Sequence, residues 1–486
     1  MMIVIAVLAA PAPAQERGRA APRPKTVEVE VKDPLKQAAA LFEAGQNAHQ
    51  AGDLEKAVGL YDEALRREPS LWQAEFQRGV ALVALGRGDE AGAALRRVTE
   101  LLGGPGGAPD LRPHAARAQI ILGEMALDTA QPAEAERAFR RALELDPKAA
   151  RAHAGLAEMF LQGNKAAEAA AEARAAVAAG DQSAAAYLLL GEAQTLAGQT
   201  DEALGSLNAA LEREPQNAAA RRYRAEVFIA RRDWPAAIAD LRASLAAERS
   251  APTALRLAQA YGEAGQPAEA AALYEQVLKE EPDNAEARAG LAGSRIDAGR
   301  GAEAIGDLEA LVKAEPKRAA YRAQLAELYL AAQPEQALAQ YRAAAELEPR
   351  VAGHRIGVGA ALVKLRRFPE AVETLRQVLA ENPPDEVGYF AHTNLATALF
   401  EQDDYANAAR EYVWILRHQR DQKRAAVTLY FLGICFDKLG DYEQALKAYN
   451  QFLELAPPDN QLEIDKVKLR LPSLQRQIKE GKGKKR

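Results

Sequence analysis

Small and apolar residues recur along this chain at helical spacing, and the pairs of stripes they draw repeat about every 34 positions. The most regular mark is an alanine, at Ala57, Ala91, Ala135, Ala169, Ala203, Ala237, Ala270, Ala304, Ala337, Ala371, Ala408 and Ala445. The steps between these positions are 34, 44, 34, 34, 34, 33, 34, 33, 34, 37 and 37 residues. Four residues after the alanine stands a bulky side chain, seven after it a second small or apolar one, and then usually a proline. Ala57, Tyr61, Ala64, Pro69 and Ala135, Phe139, Ala142, Pro147 show this, as do Ala203, Leu207, Ala210, Pro215 and Ala445, Tyr449, Phe452, Pro457. Offsets of four and seven lie on one face of an α-helix, and the proline stands where a helix must stop. Upstream of each alanine runs a second stripe, such as Leu122, Gly123 and Ala126 or Leu432, Gly433 and Phe436. Turn signals separate the two, among them Gly52-Asp53, Gly86, Gly198, Gly265 and Gly440-Asp441. Each period therefore predicts two helices joined by a tight turn.

A period in this range marks a solenoid built from one supersecondary unit. Small residues on the first helix of each pair (Gly45, Gly79, Gly123, Ala157 and their equivalents) admit the second helix closely. The repeated alanine faces them, and the bulky residue four positions on plugs the gap to the next unit. One such unit cannot bury its apolar face alone, so stability must come from stacking against neighbours. Departures from the period carry information. The interval of 44 holds Gly103-Gly104-Pro105-Gly106-Gly107-Ala108-Pro109, which predicts a loop over 103–112. The last two intervals predict longer helices or wider connections near the C-terminus. The fourth unit has Ala173 in place of a bulky plug, and this predicts the loosest packing of the array.

The pattern resembles the tetratricopeptide repeat, with about twelve units over residues 34–457. That resemblance implies an all-α fold, a right-handed α-solenoid superhelix, with the first helix of each pair on its concave face. It also implies a non-enzymatic scaffold or adaptor that binds a partner protein or peptide in the groove. A subunit of a bacterial envelope machine for polysaccharide or protein export is the alternative, in which the groove handles glycan or assembly partners. After the repeats, Leu462, Ile464, Val467, Leu469, Leu471, Leu474 and Ile478 predict a capping segment over 458–478, broken at Pro472. A basic tail follows over 479–486.

Matched positions of the implied concave face give candidate partner-binding residues. One row holds Glu124, Glu158, Glu192 and Glu226, at steps of 34, with Glu327 further along. It is either an acidic ladder for a ligand or a set of local ion pairs, Glu226 with Arg222 for example, one turn earlier. Nearer the C-terminus the matched positions turn apolar: Ile356, Val363, Phe390, Phe400, Val427, Tyr430 and Ile434. They form either ordinary helix packing or an apolar groove with charged rims, as receptors for peptide helices do. Phe390, Phe400 and Tyr430 are the expected anchors. The family's clamp for carboxylate-terminated chaperone tails places Lys and Asn at such positions. Apolar residues and glutamate stand there in this chain, which argues against that partner class.

Composition bears on what else the chain could do. Charged residues make up 27% with both signs mixed, and the formal net charge is −6, so no basic excess points to nucleic acid. The six histidines (His49, His114, His153, His354, His392, His418) form no metal-binding pair. Neither a nucleophile elbow nor a phosphate-cradling loop occurs. No catalytic residue, cofactor or metal is expected, and no enzyme activity. Cys435 is the only cysteine, so no intrachain disulfide forms, and its apolar neighbours predict a buried thiol.

At the N-terminus an apolar run from Ile3 to Ala10 is too short to span a bilayer. Ala12-Pro13-Ala14 then offers the small residues of a signal-peptide cleavage site, although no positive charge precedes the run. The reading is a signal peptide over 1–14, a linker over 15–33 and a periplasmic or secreted chain. If the apolar run is not a signal, the protein is cytoplasmic. Export predicts that Edman or mass-spectrometric sequencing of the native protein finds Gln15 at the N-terminus. An intact Met1 on a cytosolic protein would rule it out.

Overall fold

The structure is a computed structural model that describes residues 33–104, 108–419 and 421–483. The proposed signal segment, the linker before Asp33 and the last three residues of the basic tail lie outside the described residues. Among the described residues there are twenty-five α-helices, two short 3-10 turns and no strand. The chain divides into two compact bodies, one ending at Gly198 and the other beginning at Gln199.

The first body holds α1 (Pro34–Gln50), α2 (Leu54–Arg67), α3 (Trp72–Ala84), α4 (Gly88–Gly103), α5 (Arg112–Asp128), α6 (Pro132–Leu145), α7 (Ala150–Gln162), α8 (Ala166–Ala178) and α9 (Ala184–Leu196). In the second body α10 (Thr200–Arg213), α11 (Ala218–Ala230), α12 (Trp234–Ala247), α13 (Ala251–Glu263), α14 (Pro267–Glu280), α15 (Ala285–Asp297) and α16 (Gly301–Ala314) come first. They are followed by α17 (Ala319–Tyr329), α18 (Pro334–Leu347), α19 (Ala352–Lys364), α20 (Phe368–Ala380), α21 (Asp385–Glu401), α22 (Tyr405–His418), α23 (Gln422–Lys438), α24 (Tyr442–Leu455) and α25 (Gln461–Lys479). The fold is an all-α helical repeat solenoid.

Each repeated alanine is the fourth residue of an even-numbered helix, and every one of them is 0% exposed. The bulky residue one turn later seats against the small position of a first helix. A Cβ added at Gly45 would come within 2.5 Å of the Tyr61 ring, one at Gly123 within 2.6 Å of Phe139, and one at Gly433 within 2.6 Å of Tyr449. Elsewhere the glycine comes from the following unit: Gly290 receives Tyr274 and Gly357 receives Tyr341. Phe139 uses both, since Gly155 also lies against its ring. In the fourth unit Ala157, Ala173 and Leu190 form a small cluster of their own, without an aromatic plug.

The turns inside the pairs share one conformation. The residue five before the alanine is left-handed at Gly52, Gly86, Gly198, Gly265, Gly299 and Gly440, and equally at Ala130, Asn164, Arg232, Arg366 and Asp403. The next N–H reaches back to a carbonyl near the helix end, as in Asp53 to Ala48 and Arg87 to Leu82, both 2.9 Å. This is the Schellman closure, which satisfies carbonyls that the helix end would otherwise leave open. The turn at Ala332 differs, because α17 stops early, after 11 residues. Asp53, Asp233, Asp404 and Asp441 cap the even helices that follow such turns. Between units, Arg221 and Arg322 clamp the carbonyls of Pro215 and Pro316 at 2.7 and 2.9 Å.

The longer intervals are absorbed by longer first helices. α5, α21 and α23 each have 17 residues, where most first helices have 13. The stretch 103–112 holds the end of α4, a 3-10 turn at Pro109–Leu111 and the start of α5. Pro472 does not break the last helix, contrary to expectation: α25 runs on through it. The bond that the proline removes would have gone to the carbonyl of Lys468, and both residues are exposed, so water can serve that carbonyl. Cys435 is fully buried, and burial pushes its thiol up to about 12.

Replacing Ala135 with Leu should overpack the contact between α5 and α6 and cost about 1–3 kcal/mol. Because stability is shared between neighbouring units, the loss should spread through the first body. Thermal unfolding with hydrogen exchange measures both effects, and an unchanged midpoint would contradict the packing described.

Candidate functional site

Successive odd-numbered helices touch one another, as α5 with α7, α7 with α9, α17 with α19 and α19 with α21, while even-numbered helices make no comparable contact. Helices that crowd together lie on the inner side of a curved stack, so in each body the odd helices line the concave face and the even ones the convex face.

In the second body the concave side of α17, α19 and α21 encloses a groove of about 720 Å³. Its floor is apolar and tight. Ile356 is 6% exposed and Tyr341 rises into the floor from α18, against Gly357, where a Cβ would come within 2.4 Å of the ring. Burial, and after it the Glu327 carboxylate, pushes the Tyr341 hydroxyl up to about 12. On the rim stand Phe390, 60% exposed, and Val351, 42% exposed, with Glu327, Glu386 and Asn394. Among the described residues neither Glu327 nor Glu386 forms an ion pair. His354 is buried beside the groove and bonds Glu348 at 3.1 Å.

This groove gathers two of the apolar candidates, Ile356 and Phe390, with one member of the acidic row. The other candidates go elsewhere. Phe400 packs edge-on against Tyr405 and Phe431 at 5.6 and 5.2 Å, and Tyr430 against Phe431 and Phe452, both at 5.4 Å. Val363 and Ile434 are half-buried in the packing between helices. Among the three expected anchors only Phe390 is exposed; Phe400 and Tyr430 are half-buried. Val351 and Glu386 were not foreseen, since both lie outside the stripes that define the repeat.

The acidic row is partly neutralised. Arg151 holds Glu124 with two bonds at 2.6 and 3.1 Å, and Arg256 holds Glu226 with bonds of 2.8 and 2.5 Å. Arg222 is not the partner of Glu226; its guanidinium lies 5.6 Å over the Tyr223 ring. The pairing residue comes from the next first helix, since the row runs across helices and not along one. Among the described residues Glu158 has no ion pair, and its side chain reaches solvent. Crowding by its surroundings holds its carboxyl above the ordinary range, with smaller contributions from Glu124 and Glu192 that outweigh Arg151. Burial raises Glu124 too, against the pull of Arg151. Glu192 stands on α9, next along the row. Among the described residues no group of three or more His, Cys, Asp or Glu is placed to hold a metal. No described helix is long and apolar enough to cross a membrane.

A carboxyl whose value is raised on folding favours the fold when protonated, and that contribution is lost as pH rises through the raised value. At neutral pH Glu158 therefore opposes folding. Glu158→Gln should raise the unfolding midpoint at pH 7, by less than about 1 kcal/mol because the site is screened by water. The gain should vanish below the ordinary carboxylate value of 4.5. Unfolding curves across pH test this, and a gain that persists at low pH would show another cause.

Comparison with known proteins agrees with the architecture. Family models described as tetratricopeptide repeat match residues 36–105, 122–184, 188–253, 263–328, 327–386 and 393–460, well over half of the chain. No curated protein matches it. Among solved structures it is similar to a tetratricopeptide repeat protein from Parabacteroides merdae, at 18% identity and a TM-score of 0.37, over 51% of this chain and 98% of that one. The C-terminal part of a repeat protein from Cytophaga hutchinsonii matches at 17% identity and 0.43, over 49% and 99%. The pilF protein of Pseudomonas aeruginosa matches at 23% and 0.39, over 44% and 99%. With its twelve buried alanines, its helix pairs and the family-model matches along most of its length, the chain belongs to the tetratricopeptide repeat family.

Proposed function

We propose that this protein is a scaffold that binds a segment of a partner protein in the groove between α17, α19 and α21, and that it works in the bacterial envelope or outside the cell. Tetratricopeptide repeats suggest protein partners in general, and the groove narrows the chemistry. A large aromatic ring held at 60% exposure beside two carboxylates without ion pairs carries this reading. An apolar side chain of the partner would bury Phe390 and Val351, and a nearby Lys or Arg would meet Glu327 or Glu386. No buried polar anchor other than His354 and Tyr341 lines the floor, which favours a peptide side chain over a small polar molecule. The location outside the cytoplasm rests on the apolar run before Ala12-Pro13-Ala14.

Selection of random peptides on the purified protein should converge on an apolar residue next to a basic one. Truncating an aromatic anchor costs about 2 kcal/mol or more, so Phe390→Ala should weaken the selected peptides about thirtyfold. Glu327→Gln with Glu386→Gln should chiefly flatten the salt dependence, since exposed charges steer association more than they hold it. Peptides that bind Phe390→Ala as tightly as the parent protein would move the site elsewhere.

A further inference from the structure

On the convex side of the second body a furrow opens between α12 and α14, with α13 as its floor. Two cavities of about 740 and 550 Å³ run into each other there and share Arg242, Tyr261 and Glu269. The depth comes from small side chains: Ala251 and Ala254 on the floor, Ala246 and Ala272 on the walls. What is buried at the bottom (Ala254 and Leu257 on α13, Val277 on α14) is apolar. The walls carry opposite charges, Arg242 and Arg249 at and just past α12, Glu269 and Glu280 on α14. Several other arginines of this body are tied to carboxylates, as Arg224 to Asp240 and Arg295 to Asp307, both at 2.6 Å. Among the described residues none of the four wall charges has an ion pair. Opposed unpaired charges on two walls over an apolar floor fit an apolar ridge with one charge of each sign beside it.

Such a ridge stands on α25. Its inner face, Val467 and Leu474, is buried, whereas Leu462 is 62% and Leu469 81% exposed. Seven residues separate these two, so they lie on one side of the helix, about two turns apart. Asp465 and Lys466 are exposed and flank the ridge on opposite sides; Asp465 takes a bond from Gln461 at 2.7 Å.

We infer that α25 of one copy seats Leu462 and Leu469 in the furrow between α12 and α14 of a second copy. Asp465 then faces the Arg242 and Arg249 wall, and Lys466 the Glu269 and Glu280 wall. The two surfaces differ, so the contact is heterologous: each bound copy keeps a free ridge or a free furrow, and association continues head to tail unless a ring closes. This contact lies on the opposite face from the groove of α17, α19 and α21 and leaves it open.

Sedimentation of the full chain tests the inference with two variants on exposed positions, each checked for folding by circular dichroism. Leu462→Asp/Leu469→Asp removes the ridge and Ala246→Arg/Ala272→Arg blocks the furrow. The parent protein should gain mass steadily from micromolar to submillimolar concentration, and each variant alone should stay monomeric. An equimolar mixture of the variants should form one-to-one dimers and nothing larger, because one copy brings the sound furrow and the other the sound ridge. A parent protein that remains monomeric overturns the inference. So does association of the furrow variant by itself, which would mean ridge against ridge. Association of the ridge variant alone, or a mixture that stays monomeric, overturns it as well.

Discussion

Everything in this molecule follows from how closely two helices may approach. The repeated alanine, fully buried in all twelve pairs, sets that distance. A larger side chain there would part the helices, and the bulky residue one turn on would lose its seat. The aromatic plugs Tyr61, Phe139, Tyr274, Tyr341 and Tyr449 fit because a glycine stands opposite, where a Cβ would come within 2.6 Å of the ring or closer. Close packing of this kind tolerates little change in volume, and for that reason the spacing is so regular over hundreds of residues. Curvature is the further result. Once the first helices crowd together, the second helices spread, and the stack has an inner groove and an outer furrow before any functional residue is chosen.

The regular part of the structure was legible in the sequence because it is dictated by local spacing. Alanine, plug and, in most units, proline mark the second helices, and glycines mark half of the turns. Five turns could not be recognised in this way, since Ala130, Asn164, Arg232, Arg366 and Asp403 adopt the left-handed conformation without being glycine. There the hydrogen bonds of the helix end impose the conformation on whatever residue occupies the place. Pro472 misled for a related reason. Proline breaks a helix when the carbonyl it leaves unpaired is buried, and here that carbonyl faces water.

The candidate site was legible only in part. Matched positions identify which side chains share a face, but not whether a neighbour covers them. Phe390 and Phe400 stand on the same helix, yet Tyr405 and Phe431 pack against Phe400, and Phe390 is left open. The acidic row shows the same limit. Spacing placed Glu124 and Glu226 in register, while their arginine partners lie 27 and 30 residues away on the next first helix, beyond the reach of any rule confined to one helix. Exposure and pairing are properties of three helices at once, and a periodic reading sees one or two.

The seating of the aromatic plugs also bears on how such a chain can be rearranged by duplication. Where the glycine belongs to the same unit, as with Tyr61 and Gly45 or Tyr449 and Gly433, the unit carries both halves of the contact and can be copied whole. Where it belongs to the following unit, as with Tyr274 and Gly290 or Tyr341 and Gly357, a copied unit would arrive without its seat. The heritable module there is a pair of neighbouring units, and a cut between them would strand a tyrosine against a backbone that has no room for it.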